Sequence, residues 1–155
     1  MIRKANFNDI DGIISLLLQV HALHANGRPD IFKMGGIKYT NEDVKNIITN
    51  ENTPIFVFLN DENTVLGYTF CEIKETKEDT SLHSRKTLYI DDLCVDKNAR
   101  GQHVGTKLYD YTVSFAKSIK CDSITLNVWE FNEGARKFYE KCGMKPLKTV
   151  MEQIL

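Results

Sequence analysis

Apolar residues at Ile10, Ile13, Ile14, Leu17 and Leu18 lay one greasy stripe along a helix, and Asn8 or Asp9 is placed to accept the free N–H groups of its first turn. Ile2 and Arg3 begin a short strand ahead of it. Residues 21–36, HALHANGRPDIFKMGG, then lose the helical period and gain Gly27, Pro29 and the pair Gly35-Gly36, which predicts a loop or broken helix over the surface. Thr40, followed by Glu42 and Asp43, opens a second helix that runs through about Thr49. Pro54 starts a strand, PIFVFLND, and the turn at residues 60–63 leads to VLGYTFCEIKE, close enough to pair with it as an antiparallel hairpin.

The polar stretch TKEDTSLHSR separates these strands from KTLYIDDLCV, which reads as a central strand. A helix follows from Thr106 to about Lys120, then a strand SITLNVW, then a helix from Asn132 to Lys141 that ends at Cys142-Gly143 with a left-handed cap. The last run, PLKTVMEQIL, reads as a closing strand. The order predicts an α/β fold, a mixed sheet with helices on both faces. The crossover from LYIDDLCV to SITLNVW is expected to be parallel and right-handed, with its ligand crevice beyond the carboxyl ends of the two strands.

Composition narrows the functional classes. A chain of 155 residues has room for one well-buried core, so a single domain over residues 1–155 is expected. Twenty basic against 21 acidic residues leave a formal charge of -1, which gives no long-range reason to expect a nucleic-acid surface. Cys71, Cys94, Cys121 and Cys142 lie far apart without a C-x-x-C pair, so buried free thiols of a reducing compartment are expected, with neither disulfides nor a metal site. The first residues carry acids where a secretory signal needs an apolar core, and no apolar run approaches membrane-spanning length. A cytoplasmic protein with no membrane partner is the expectation.

The junction ARGQHVGT, between strand and helix, exposes backbone N–H groups that attract an anion. Two familiar anion loops fail there. The triphosphate loop G-x-x-x-x-G-K-[ST] does not match, because Gly101 and Gly105 are separated by three residues and lysine follows threonine; the dinucleotide fingerprint fails because its three glycines are not present.

The strand, loop and helix LYIDDLCVDKNARGQHVGTKLYDY resemble the central motif of the GNAT superfamily of acetyl-CoA-dependent N-acetyltransferases, with its R-x-x-G-x-G turn. NVWEFNEGARKFYEKCGMKP resembles the family's second motif, N-x-x-A-x-x-F-Y-x-x-x-G-F, and IRKANFNDIDGI its usual first strand and helix. The resemblance covers essentially the whole chain. It implies a mixed, mostly antiparallel sheet, splayed between two central parallel strands, the fourth and fifth, with the pantetheine arm of acetyl-CoA in the gap. By the same resemblance Arg100, Gly101, Gln102, His103, Val104, Gly105 and Thr106 bind the pyrophosphate. The backbone of Leu93, Cys94 and Val95 pairs with the pantetheine amides, and Asn132 contacts the cofactor. One departure stands out: His103 occupies the place of the first glycine of the G-x-G pair, which a cradle of N–H groups tolerates if the local dihedrals remain helical.

Transfer of acetyl to an amine needs the amine neutral, the carbonyl oxygen stabilised and the thiolate supplied with a proton. LYIDDL is similar to the Y-[LI]-E-D stretch of polyamine-type members, which makes Asp91 the first choice for base and Asp92 for amine binding. In a regular strand they face opposite ways, unless a bulge turns both toward the cleft. Tyr139 matches the family's proton donor to the thiolate and also a cofactor contact. Cys142, at a helix C-terminus, is unsuited to be an activated thiolate, and no histidine is placed beside Cys94, so direct transfer is expected. His24, Arg28 and Phe32, on the segment that overhangs the acceptor side in the family, complete the candidate substrate contacts with Asp91 and Asp92. The acceptor expected is a small cationic amine; a peptide or protein amine is the alternative, and a non-catalytic acyl-CoA sensor of the same fold is the runner-up from another class. Self-association as a homodimer is compatible with each.

Overall fold

The computed structural model describes all residues 1–155. Its elements in order are β1 (Ile2–Lys4), α1 (Ile10–Gly27), α2 (Asn41–Thr49), β2 (Ile55–Leu59), β3 (Val65–Thr76), β4 (Arg85–Val95), α3 (Val104–Ser118), β5 (Ser123–Leu126) and α4 (Glu133–Lys141), with short 3-10 turns at Phe7–Asp9 and Lys97–Ala99. The five strands form one sheet in sequence order. β1 to β4 pair antiparallel, and β4 pairs with β5 in parallel. The mixed α/β sheet expected from the pattern, mostly antiparallel as the resemblance implied, is the one observed, and no helix is long and apolar enough to cross a membrane.

Alternation along the strands builds two cores. Ile55, Val57 and Leu59 of β2 join Ile10, Ile13, Leu16 and Leu17 of α1 and Val44 of α2 on one face, while Phe56 joins Val104, Leu108, Tyr109 and Ala116 of α3 on the other. Phe138, Tyr139 and Cys142 of α4 pack on that second face. β2 is therefore apolar at every position because helices cover both its sides.

Several expectations change. α1 continues to Gly27, because Val20 still packs on the first core and Ala25 is fully buried, so His21 and His24 are helical. Its buried stripe uses Leu16, while Leu18 is exposed. Asn6 caps the 3-10 turn that leads into α1, its side chain accepting from Asn8 N–H while Asp9 accepts from Asn6 N–H, and Asp9 stands at the N-cap of α1 without a side-chain cap bond. Asp9 is occupied by both guanidinium nitrogens of Arg3, at 2.7 and 2.9 Å. α3 starts at Val104, two residues early, and β5 stops at Leu126. The left-handed cap after α4 is present at Gly143, φ +97°. Residues 145–155 form no strand, since they find no sheet partner within the chain. All four cysteines are free, with Cys71 and Cys94 buried and Cys121 and Cys142 partly so.

Candidate active site

The parallel ladder between β4 and β5 ends at the pair Ile90 and Leu126. β4 continues for five more residues, Asp91 to Val95, whose backbone on the β5 side has no strand partner. That divergence is the splay that the resemblance implied.

A bulge controls what lines it. On the β3 side Phe70 pairs with Asp92 and Cys71 with Ile90, so Asp91 is the extra residue. Before the bulge Leu88 and Ile90 face α3; after it Leu93 and Val95 face α3 and Cys94 faces α1. The inserted residue turns both acids to the α1 side, the alternative a regular strand forbids. Asp91 accepts from the Tyr39 hydroxyl at 2.6 Å and pairs with the Lys38 ammonium at 3.1 Å, which also donates to the Asp91 carbonyl. Asp92 accepts from the hydroxyl of buried Tyr68 at 2.8 Å. Burial pushes the Asp92 carboxyl above the ordinary carboxylate range, partly offset by Lys38 and by the Tyr68 hydrogen bond.

Tyr139 reaches the same region from α4. Burial first, then the Asp92 charge, push its phenol well up, so it stays protonated at neutral pH. No protein group lies within hydrogen-bond distance of its hydroxyl. Asn132 caps α4, its side-chain oxygen accepting from Ala135 N–H at 3.1 Å.

The anion loop lies at the other end of the gap. A hollow of about 230 Å³ is lined by Val95, Ala99, Arg100, Gly101, His103, Val104, Gly105, Thr106 and Phe138. The first backbone hydrogen bond of α3 runs from Lys107 N–H to His103 O, which leaves the N–H groups of Val104, Gly105 and Thr106 without helical acceptors. Gly101 sits at φ +80° and His103 at φ +61°, ψ +16°. The condition of helical dihedrals at His103 is not met: the residue is left-handed, a conformation that glycine favours and that histidine adopts more readily than most residues. Gln102 lies over the Asn98 carbonyl at 3.5 Å, and Arg100 is exposed without an acidic partner. These features fit a pyrophosphate: unpaired N–H groups, a free guanidinium and a helix N-terminus.

On the side that the resemblance assigns to the acceptor, His24 packs on Phe32 and Phe131, with centroids 5.1 and 6.2 Å apart, and Trp129 packs on both phenylalanines. A Cβ on Gly27 would lie 2.4 Å from the Phe131 ring, so only glycine admits that ring against α1. Burial, then Lys38 and His21, lower the His24 pKa and keep it neutral. Arg28 is engaged by Asp30 at 2.7 Å and Glu152 at 2.9 Å. The sequence reading missed Lys38, Tyr39, Tyr68, Trp129 and Phe131. Trp129 and Phe131 carried a signal, as aromatics within the stretch that resembles the second motif, just before Asn132.

Residues 20–144 match the acetyltransferase (GNAT) family. The chain belongs to that family, whose members use acetyl-CoA. Glucosamine 6-phosphate N-acetyltransferase of Arabidopsis thaliana is 36% identical over 59 residues, a match spanning 38% of this chain and 38% of that enzyme. The crystal structure of a point mutant of the BH1408 protein from Bacillus halodurans is 31% identical, covers 100% of this chain and 99% of its own, and superposes with a TM-score of 0.96. The crystal structure of the Arabidopsis enzyme, 23% identical over 99% of this chain and 97% of its own, shares the fold with a TM-score of 0.72.

Proposed function

We propose that the protein transfers acetyl from acetyl-CoA to a primary amine by direct attack, and that the acceptor is a small cationic amine. The observation that carries this reading is the bulge at Asp91, which sets two carboxylates on one side of the splay. Acetyl-CoA supplies the activated carbonyl. The open backbone edge of Leu93, Cys94 and Val95 suits amides that add as a further strand. Arg100, the N–H groups from Gly101 through Gln102, His103 and Val104 to Gly105 and Thr106, and the free amide nitrogen of Asn132 suit the pyrophosphate and its arm.

Asp92 takes the role of base. It has one hydrogen bond and a raised pKa, so it accepts a proton more readily than an exposed carboxylate does. Asp91 takes the amine-binding role, an exchange from the expectation, because an ammonium already occupies it: Lys38 lies 3.1 Å away and is exposed enough to be displaced by a cationic acceptor. Tyr139 then donates a hydrogen bond to the departing thiolate. Its pKa lies above the ordinary 10.0 of a phenol, whereas a thiol ionises near about 8.5, so stabilisation by donation is easier than full proton transfer. Burial pushes the Cys71 and Cys94 thiols up to about 12, which leaves neither as a thiolate nucleophile at neutral pH.

The acceptor side favours cations over phosphorylated sugars. Its one arginine, Arg28, is already neutralised by two carboxylates, and aromatic faces at Phe32, Trp129 and Phe131 suit an ammonium or an apolar linker. The test compares spermidine, a diamine, an aminoglycoside, glucosamine 6-phosphate, a lysine peptide and a peptide with a free N-terminus, with wild type, Asp91→Asn and Asp92→Asn. Polyvalent cations should give the highest kcat/KM, and Asp91→Asn should abolish that preference. Preference for a peptide or the sugar phosphate, unaffected by either change, refutes the cationic reading. Binding of acetyl-CoA with transfer to none of the panel identifies a sensor instead.

A further inference from the structure

Lys38 stands where a substrate amine is expected, and the fold holds it there. The segment joining α1 to α2 is pinned at several points: Phe32 N–H donates to the Arg28 carbonyl, His21 Nε2 lies 2.7 Å from the Lys33 carbonyl, and Thr40 caps α2. On either side of Lys38, Ile37 and Tyr39 pack against the first core, with the Tyr39 ring stacked on Phe70 at a centroid distance of 5.4 Å. The backbone of Lys38 is therefore anchored. Its side chain is free to move: it is 40% exposed, and its hydrogen bonds go to Asp91 alone, the carboxylate and the carbonyl each 3.1 Å away.

Every group needed to acetylate that nitrogen is in the same cleft. Asp91 is the inserted residue of the bulge, at the point where β5 leaves β4, so the ammonium sits at the mouth of the splay. Of the charges around Asp92, that of Lys38 acts most strongly, and Tyr139 feels the Asp92 charge from the other wall. The open edge reaches Leu93 two residues beyond Asp91, roughly 7 Å along the strand. A flexible four-carbon stem released from Asp91 can cover that span. No other lysine or arginine pairs with either aspartate; Lys45 and Lys74 pair instead with Glu42 and Glu72 on the surface.

We propose that Lys38 is a self-acetylation site, modified from the acetyl-CoA bound to the same chain; the inference rests on the transferase reading above. The ammonium gives one proton to Asp92, the neutral nitrogen attacks the acetyl carbon, and the carbon–sulfur bond breaks as the carbon–nitrogen bond forms. The sulfur leaves hydrogen-bonded to Tyr139 and takes up the second proton that the nitrogen sheds. The products are acetylated Lys38 and CoA. The modification removes the positive charge that neutralises Asp91, so this carboxylate then faces the cleft without an ammonium partner.

Mass spectrometry of the full chain, intact and as peptides, after incubation with acetyl-CoA and no added amine tests this. One acetyl group should appear on Lys38 about a hundredfold faster than on any other lysine. The rate per chain should not change with protein concentration, since donor and acceptor share one molecule. Asp92→Asn should slow the labelling of Lys38 about a hundredfold while background labelling of exposed lysines continues, and Lys38→Arg should remove the fast phase. Three results would each overturn the proposal: labelling of Lys38 no faster than that of the exposed Lys33 and Lys45, a rate that rises with protein concentration, or labelling equally fast in Asp92→Asn. The amine panel, run on the same preparation, separates this failure from that of the transferase reading. Transfer to a panel amine with Lys38 unmodified strikes self-acetylation alone, whereas bound acetyl-CoA with transfer to neither strikes both.

Discussion

Asp92 and Tyr139 interact through charge, and that makes the proposed chemistry separable by single substitutions. Asp92→Asn keeps an acceptor for the Tyr68 hydroxyl but removes the base, so kcat should fall on the order of a hundredfold. Tyr139→Phe removes only a donor and should cost a similar factor in kcat with CoA affinity nearly unchanged. The sign of the pH effect follows from the raised Asp92 pKa. Activity should fall as pH drops through a value above the ordinary 3.8, and that limb should vanish in Asp92→Asn. Stability runs the other way: the raised pKa favours the fold at low pH, and that contribution is lost as pH rises from 3.8 through the folded-state value. Asp92→Asn should therefore melt higher than wild type at neutral pH, which calorimetry beside the pH–rate profile will show. A variant that loses both activity and stability would mean that Asp92 is structural. The sequence put one acid in the cleft, or both if a bulge intervened, and made Asp91 the base; the bulge and the contacts with Lys38, Tyr39 and Tyr68 that support the exchanged proposal arise only through tertiary packing.

At the level of elements, the strands and helices that carry a strict period were legible, and the errors sit where packing overrides a local signal. Gly27 and Pro29 suggested an early end to α1, but burial of Ala25 holds the last turns in place, and Gly27 is needed for the Phe131 ring. The start of α3 was read two residues late because the segment bracketed by Gly101 and Gly105 read as a turn ahead of a helix from Thr106. Its left-handed backbone instead makes it the residue before the helix. That conformation gives a test of the loop. His103→Gly removes about 1–2 kcal/mol of left-handed strain and adds up to about 1 kcal/mol of unfolded-state entropy, so melting should shift little and upward, with CoA binding retained. His103→Val puts a β-branched residue at positive φ and should lower stability by about 1–3 kcal/mol. Denaturant titration compares the two with wild type. Equal, large losses of CoA affinity in both, without a stability difference, would instead make the imidazole itself a phosphate ligand.

Across the whole molecule, the same sheet is complete on one side of β4 and unfinished on the other. Beyond Leu126 the strands part, and the exposed edge of Asp91 to Val95 has no protein partner, while the outer edge of β5 and the tail each lack one in the chain. A ligand that fills the splay should therefore stabilise the fold as a whole. At a concentration a hundred times its Kd, a ligand that binds only the native state contributes about 2.7 kcal/mol. For a chain of this size each kcal/mol moves Tm by roughly 2–4 °C, so saturating CoA should raise Tm by about 5–10 °C. On the proposed reading pantetheine at the same concentration would occupy the gap but lacks the pyrophosphate assigned to Arg100 and the α3 N-terminus, and should give a much smaller shift. Differential scanning calorimetry with CoA, with pantetheine, and with CoA on Arg100→Ala gives the comparison. Arg100→Ala should keep most of the CoA shift, since the N–H groups of Val104, Gly105 and Thr106 remain. Equal shifts from CoA and pantetheine would show that the loop holds no phosphate and that the splay alone binds.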